Sequence, residues 1–377
     1  MLELFNLRQE AFGLDISGRF MRIIRLKEKE GILSLVSFGE TEIKPGIIEN
    51  GEIKDEKYLV EIVKQALKNV SGEKLKTKYV VASLPEEKAF LQVIQLPVME
   101  NNEELRKVIY FEAENYIPLP IEEVYLDGQI VVPLHNHLDH SDALIVALPK
   151  KIVNPYLSVL KKAGLIPTVL EIESQAISRA LIKNGVSPFP VLLIDFDTDK
   201  TSFIIFSGHS LRFTSSISTS FQEFTETISK SLGIDLAEAE KLKSEYGIEA
   251  KYRFGIDNQE GKVEKGRIFK ALVPILEKLL KQTKEYLDYY QSHATHEHLP
   301  TKVKGVEKII LSGEGASLKG LADFLAFELK IPVEIANPWT NILPQPLKRI
   351  PELSFDKSSA YTTALGLALR GIRKEYL

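Results

Sequence analysis

Cysteine is missing from all 377 residues. Its absence excludes a disulfide framework and any thiolate metal site, and it fits a reducing compartment. Long apolar runs are missing too: none approaches the roughly 20 residues that cross a bilayer. The opening stretch MLELFNLRQEAFGLDIS lacks the basic start and apolar core of a signal peptide. Positive charge is not in excess, since 48 Lys and Arg against 52 Asp and Glu leave a net charge of −4. Broad nucleic-acid binding wants the opposite balance. There is no P-loop, no Rossmann fingerprint and no serine elbow. The expectation is a soluble, cytoplasmic chain that reaches a membrane only through a partner.

What the sequence does contain is an internal repeat. FGLDISGRFMRIIRLKEKEGILSLVSFGETEI, from Phe12, and VLLIDFDTDKTSFIIFSGHSLRFTSSIS, from Val191, each read as strand, tight turn, strand, turn, strand. Each first strand ends in an aspartate, Asp15 or Asp195, followed by a polar turn. DEKYLVEIVKQALKNV (55–70) places Leu59, Ile62, Val63, Ala66, Leu67 and Val70 on one helical face, with Asp55 as its cap. KYVVASLP then reads as a buried strand, which completes the outline of a ribonuclease-H-like α/β lobe. A small α+β module interrupts that lobe, and GVSPFPV (185–191) reads as a crossing to a second lobe. Helices are expected at 221–232 and 235–246, followed by a long amphipathic helix bent at Pro274. LSGEGASLKGL turns a strand into a helix, and AYTTALGLALRGI is a terminal helix with small residues along one side. A chain of this length is expected to form more than one lobe. Ligands in α/β folds bind beyond the carboxyl ends of strands, where both aspartate turns would lie.

Each candidate motif has an ordinary alternative. At GLDISGR, Asp15 could hold Mg²⁺ through water while Ser17, Gly18 and Arg19 offer amides or side chains to phosphate. A surface hairpin turn would explain one copy, but the repetition at Asp195 favours a site. Gly313 and Gly315 could cradle an anion or a purine at a helix start, or only make a tight turn. Glu240 and Lys243 share a helix side and could grip a ribose, or form a solvated salt-bridged face. His135, His137, Asp139 and His140 match the H-x-H-x-D-H signature of metallo-β-lactamase-like zinc hydrolases. The strand SDALIVALP follows at once, however, and the glycines and distant ligands of that fold are missing, so a hairpin loop is expected. HATHEH (293–298) reads as a polar loop as well.

Taken together, these stretches resemble the PilM family of type IV pilus assembly proteins, which is similar to FtsA, over nearly the whole chain. DISGRFMR (Asp15–Arg22) resembles the family's first phosphate motif, and DFDTDKT (Asp195–Thr201) its second. EIESQAISRAL matches the connecting segment with Glu173, AEKLK (Ala239–Lys243) the adenosine side, and LSGEGASLKGL the adenosine loop. IPVEIANPW and the closing AYTTALGLALRGI are also family-like. The end at GIRKEYL favours this family over FtsA, which continues into a membrane-binding helix.

The resemblance implies an α/β, actin-like fold of duplicated ribonuclease-H-like lobes around a nucleotide cleft. Subdomain 1A is expected over 1–86, 166–188 and the terminal helix in 351–377, with an inserted α+β subdomain 1C over 87–165. Subdomain 2A is expected over 189–220 and 305–350, and a mostly helical 2B over 221–304. The implied ligand is ATP with Mg²⁺. Its contacts would be Asp15, Ser17, Gly18, Arg19, Arg22, Asp195, Thr198, Lys200, Thr201, Glu240, Lys243, Gly313, Gly315 and Ala316. Asp15 and Asp195 would hold the metal through water, and Glu173 would position a water.

Asp197 stands where the family pattern has glycine, Arg22 stands for lysine, Ser17 and Gly18 swap the usual order, and Glu314 adds an acid between the glycines. Both acids oppose phosphate, so significant turnover is not expected. The implied role is a scaffold at the inner membrane that holds the cytoplasmic N-terminal peptide of a PilN-like protein in a groove between 1A and 1C. Motor ATPases, a platform protein and self-association into a ring belong to the same picture. The alternatives are an FtsA-like or GspL-like ATP-binding scaffold, or an active ATPase or kinase. Apolar positions of the inserted module such as Val93 and Ile94 fit a core as well as a groove.

Overall fold

The computed structural model describes residues 10–98, 102–133, 140–248, 260–293, 305–343 and 351–372. His135, His137 and Asp139 lie outside them, as does HATHEH after His293. The first lobe starts with β1 (Phe12–Ile16), β2 (Phe20–Lys29) and β3 (Ile32–Glu42), each antiparallel to the one before. Helix α1 (Glu56–Lys68) begins where the Asp55 side chain accepts the Tyr58 amide. It buries Leu59, Ile62, Val63 and Ala66, and β4 (Tyr79–Leu84) follows parallel to β1.

The inserted module comprises β5 (Phe90–Pro97), α2 (Asn102–Ala113), β6 (Val124–Val131) and β7 (His140–Pro149), with α3 (Lys150–Lys162) leading back. Its strands form a separate sheet in the order β5-β7-β6. Ile94 is buried in that module's own core, with Ile109, Ala143 and Ile145, and Val93 is half-buried. Both are packing positions. The chain rejoins the first sheet with β8 (Ile166–Ile172), giving the order β8-β4-β1-β2-β3, and continues into α4 (Glu173–Leu181).

The second lobe repeats this plan. Strands β9 (Ser187–Phe196), β10 (Thr201–Gly208) and β11 (Ser210–Ile217) form the antiparallel triple. Helices α5 (Phe221–Leu232), α6 (Leu236–Tyr246) and α7 (Glu260–His293) come next. Strand β12 (Lys308–Ser312), helix α8 (Leu321–Leu329) and β13 (Val333–Ile335) complete the lobe, and α9 (Thr362–Ile372) closes the described chain. The second sheet is ordered β11-β10-β9-β12-β13, the counterpart of the first, with β12 and β13 parallel to β9.

Two expectations need adjustment. The stretch 185–191 is not wholly a crossing, because β9 already starts at Ser187. Its pairing with β10 shifts register between Ser187 and Val191, where Pro188 and Pro190 have no amide to give the ladder. Helix α7 runs unbroken through Pro274.

Strand β9 is buried on both faces, as expected of a central strand flanked by layers. Val191 and Leu193 join an apolar cluster that continues into the first lobe through Leu148, Ile177 and Phe12. Leu192 and Ile194, one residue out of phase, face a second cluster with Ile268, Leu272 and Leu276 of α7. The lobes are therefore joined at the rear by shared apolar packing, and the cleft lies at the carboxyl ends of β1 and β9.

The small residues of α9 have a steric purpose. A Cβ at Gly366 would collide with the backbone of Ala176 in α4, and one at Gly13 would collide with the backbone of α9 itself. We expect Gly366→Val to lower stability by about 3 kcal/mol through overpacking. A urea titration checks this, and an unchanged midpoint would refute the close helix contact.

Candidate functional site

The two aspartates of the repeat occupy matching positions. On β1, Asp15 Oδ1 accepts the Ser83 hydroxyl of the neighbouring parallel strand at 2.9 Å. On β9, Asp195 Oδ1 accepts the Ser312 hydroxyl of its own parallel neighbour at 2.6 Å. Both carboxyls are buried, and burial is the main reason that Asp15 is pushed up to about 6 and Asp195 to about 7. Asp197 pushes both in the same direction. The two serines were not singled out from the sequence, although VVASL and IILSG each end a strand with one.

The turns after these strands meet across the cleft. In the first lobe, the Gly18 amide donates to Asp199 Oδ2 of the second at 2.8 Å. A Cβ on residue 18 would collide with that carboxylate, so glycine is what permits the approach. Arg22 is fully buried; its Nε donates to Glu40 at 2.8 Å, its Nη2 pairs with Glu314, and its Nη1 lies 3.6 Å from Asp197. The Thr198 hydroxyl also donates to Glu314. Lys200 reaches back to the first lobe, with Nζ at 2.6 Å from Glu173 and 2.7 Å from Glu87. Burial alone would lower the Lys200 pKa, but Glu173, Glu87 and Asp199 raise it well above the usual lysine range, so it stays charged.

The other residues expected at a nucleotide site are arranged differently. The Thr201 hydroxyl is buried and donates to the Thr219 carbonyl at 2.6 Å. Arg19 turns outward to Glu42 at 3.3 Å. The Gly313 and Gly315 loop packs on Phe196, which a Cβ at either glycine would strike, and Ala316 is buried beside it. Lys243 is buried, 2.8 Å from Glu240 and 2.7 Å from the Thr225 hydroxyl, and it sits over the Phe221 ring. The solvated-face reading of Glu240 and Lys243 is therefore wrong for the lysine. His140 begins β7 beside Asp142 at 3.5 Å. No group of three or more His, Asp or Glu that could hold a metal occurs among the described residues.

An actin-like cleft implies ATP and Mg²⁺, and as arranged here these residues do not fit them. The Gly18 amide, the Arg22 Nε and Nη2, the Thr198 hydroxyl and Lys200 already bind carboxylates of the chain. Asp15, Asp195, Asp197, Asp199, Glu173 and Glu314 crowd the same space. Two like charges at about 4 Å repel by roughly 4 kcal/mol at an effective dielectric of 20. The remaining opening, a cavity of about 480 Å³, lies between Ser17, Gly18, Asp199 and Lys200 on one side and Pro45, Gly51 and Tyr156 on the other.

A second concavity lies outside the cleft, between the inserted sheet and the first lobe. It encloses about 330 Å³ between the edge strands β6 and β8, neither of which has a further strand beside it among the described residues. Leu126, Leu144, Val146, Val169 and Leu170 line it, with Arg370 of α9 at one side. The Arg370 Nε is buried without a hydrogen-bond partner, 4.0 Å from Glu171. The space continues for about 270 Å³ past Gln175 and Arg370 to Phe206 and Leu211 of the second lobe. Sequence reasoning expected a groove between these units but named none of its residues.

Duplicated sheets of matching order, with a cleft at their carboxyl ends and a module inserted into the first, define an actin-like protein. The family model described as type IV pilus assembly protein PilM matches residues 13–372, and the chain belongs to that family. A solved PilM–PilN type IV pilus biogenesis complex contains a chain 26% identical, with a TM-score of 0.75, covering 97% of this chain and 99% of that one. MreB5 of Spiroplasma citri bound to AMPPNP is 14% identical with a TM-score of 0.54, covering 96% of each chain, and shares the fold. The cell division protein FtsA of Enterococcus hirae is 26% identical over 190 residues, 48% of this chain and 41% of that protein. The match thus spans less than half the length of that relative. No described helix is long and apolar enough to cross a membrane.

The Lys200 contacts yield a direct prediction. Lys200→Met would leave the buried Glu173 carboxylate without its lysine and remove the same partner from the more exposed Glu87, at a loss of about 3 kcal/mol near pH 8. The loss should shrink toward pH 5, because protonation then neutralises the stranded carboxylates. Denaturant titrations at both pH values check this, and a loss independent of pH would refute the pairing.

Proposed function

We propose that this PilM-family chain is a scaffold of type IV pilus assembly that captures an extended peptide in the groove between β6 and β8. The peptide is the cytoplasmic N-terminal tail of a PilN-like inner-membrane protein. The observation that carries this reading is the pair of exposed strand edges flanking an apolar groove with one incompletely satisfied guanidinium. Strand edges offer main-chain hydrogen bonds, and pockets for alternate side chains supply selectivity. Parts of β6 are already engaged, since Tyr110 donates to the Leu126 carbonyl at 2.9 Å and Gly128 bonds the Asp127 side chain at 2.9 Å. Strand β8 is therefore the better partner for the peptide backbone, with Leu126 and Leu170 as apolar walls and Arg370 as a donor to peptide carbonyls.

The match to a chain from a PilM–PilN complex over nearly its whole length supports this choice of partner. In the subdomain scheme, the groove separates 1A from 1C. Holding the tail puts the scaffold at the cytoplasmic face of the inner membrane through its partner. Contacts with motor ATPases and a platform protein, and a ring of copies, complete the role. The role needs no turnover of nucleotide.

A fluorescently labelled tail peptide from the PilN-like protein of the same organism tests the proposal. Micromolar binding by anisotropy is expected, weakened about tenfold or more by Leu170→Arg with the thermal midpoint kept. No binding by the folded wild type, or binding indifferent to Leu170→Arg, would sink it.

A further inference from the structure

We infer that this chain supplies the anions of its own cleft: Asp199 and Glu314 stand in for phosphate oxygens and tie the lobes together without nucleotide. The inference rests on reading the two aspartate turns as an anion site; it does not depend on the peptide groove. A phosphate oxygen in such a cleft is met by turn amides, a hydroxyl and cationic side chains. Here the Gly18 amide of the first lobe meets Asp199 of the second, while Arg22 of the first lobe and Thr198 of the second converge on Glu314. In each case a carboxylate oxygen takes the place of a phosphate oxygen. Lys200 makes the return connection to Glu173 and Glu87.

A tethered carboxylate has an advantage over a free ligand. It is part of the chain, so no translational freedom is lost when it binds, and its effective concentration is high. A triphosphate would first have to displace it, then enter among Asp15, Asp195 and Asp197. Asp197 reinforces the exclusion, because it sits with Glu314 against the buried Arg22, 3.6 Å from an Nη1 that has no hydrogen-bond partner, and so adds a second acid where a phosphate would approach. The departures from the family pattern therefore act together. Joined by Asp199, at a position the family pattern leaves open, Asp197 and Glu314 replace an exchangeable ligand with a fixed one, and the closed arrangement of the lobes becomes permanent.

The absence of cysteine makes the test simple. Lys57 on α1 and Lys230 on α5 are exposed, one on each lobe, and can be changed to cysteine and spin-labelled. Electron-electron distance measurements are then made with and without a non-hydrolysable ATP analogue and Mg²⁺. The labelled protein should show one narrow interlobe distance that millimolar analogue does not alter. Asp199→Ala in the same background should broaden and lengthen it. A broad distance in the wild-type background that narrows on adding analogue would overturn the inference, whether or not the variant folds. So would an Asp199→Ala distance identical to the wild type.

Discussion

A charge taken out of water needs a partner, and at the mouth of this cleft nearly every partner belongs to the other lobe. Arg22, fully buried in the first lobe, meets Asp197 and Glu314 of the second, with Glu40 its one neighbour on its own sheet. Lys200 of the second lobe meets Glu173 and Glu87 of the first. Desolvating either cation without a partner would cost several kcal/mol. The lobes cannot separate at the mouth without exposing that cost to rearrangement, whereas at the rear they share an apolar cluster running from Phe12 and Ile177 to Leu193 and Phe206. Apolar packing sets which faces meet; the ion pairs set how the turns align.

The two concavities follow from two different properties of a sheet. The cleft lies at the carboxyl ends of strands, where turns converge and amides point outward, so it is built for small anions. The groove lies along strand edges, where backbone groups face no further strand among the described residues, a geometry that suits an extended chain. The two matching lobes frame the first, and the small inserted sheet frames the second. In this protein the acids of the cleft turn that place inward on the chain itself, while the groove keeps a buried and half-buried apolar lining between two sheets. Helix α4 borders both surfaces, since it begins at Glu173 beside the cleft and carries Gln175 into the groove.

Much of this architecture could be read from the residues. The repeated strand–turn–strand–turn–strand pattern, the Asp55 cap and the small residues along one side of α9 are local signals, and each appears where the pattern puts it. The resemblance to the PilM family rested on motifs lying at those same strand ends. Asp197 and Glu314 could also be marked as misplaced acids, because glycine or a neutral residue was expected there.

Local pattern determined which segments are strands and helices, which residues face a core, and that two turns share one design. Tertiary structure alone decided that Asp199 lands on the Gly18 amide, 181 positions away in the chain. It also decided that Glu314 closes on Arg22, that Lys243 is buried over Phe221 and not solvated, and that β6 and β8 leave a groove between them. The physical reason is range. Propensity, capping and periodicity act within a turn or two of the chain. The partner of a buried charge and the neighbour of a strand edge are set by the folded surfaces that happen to meet.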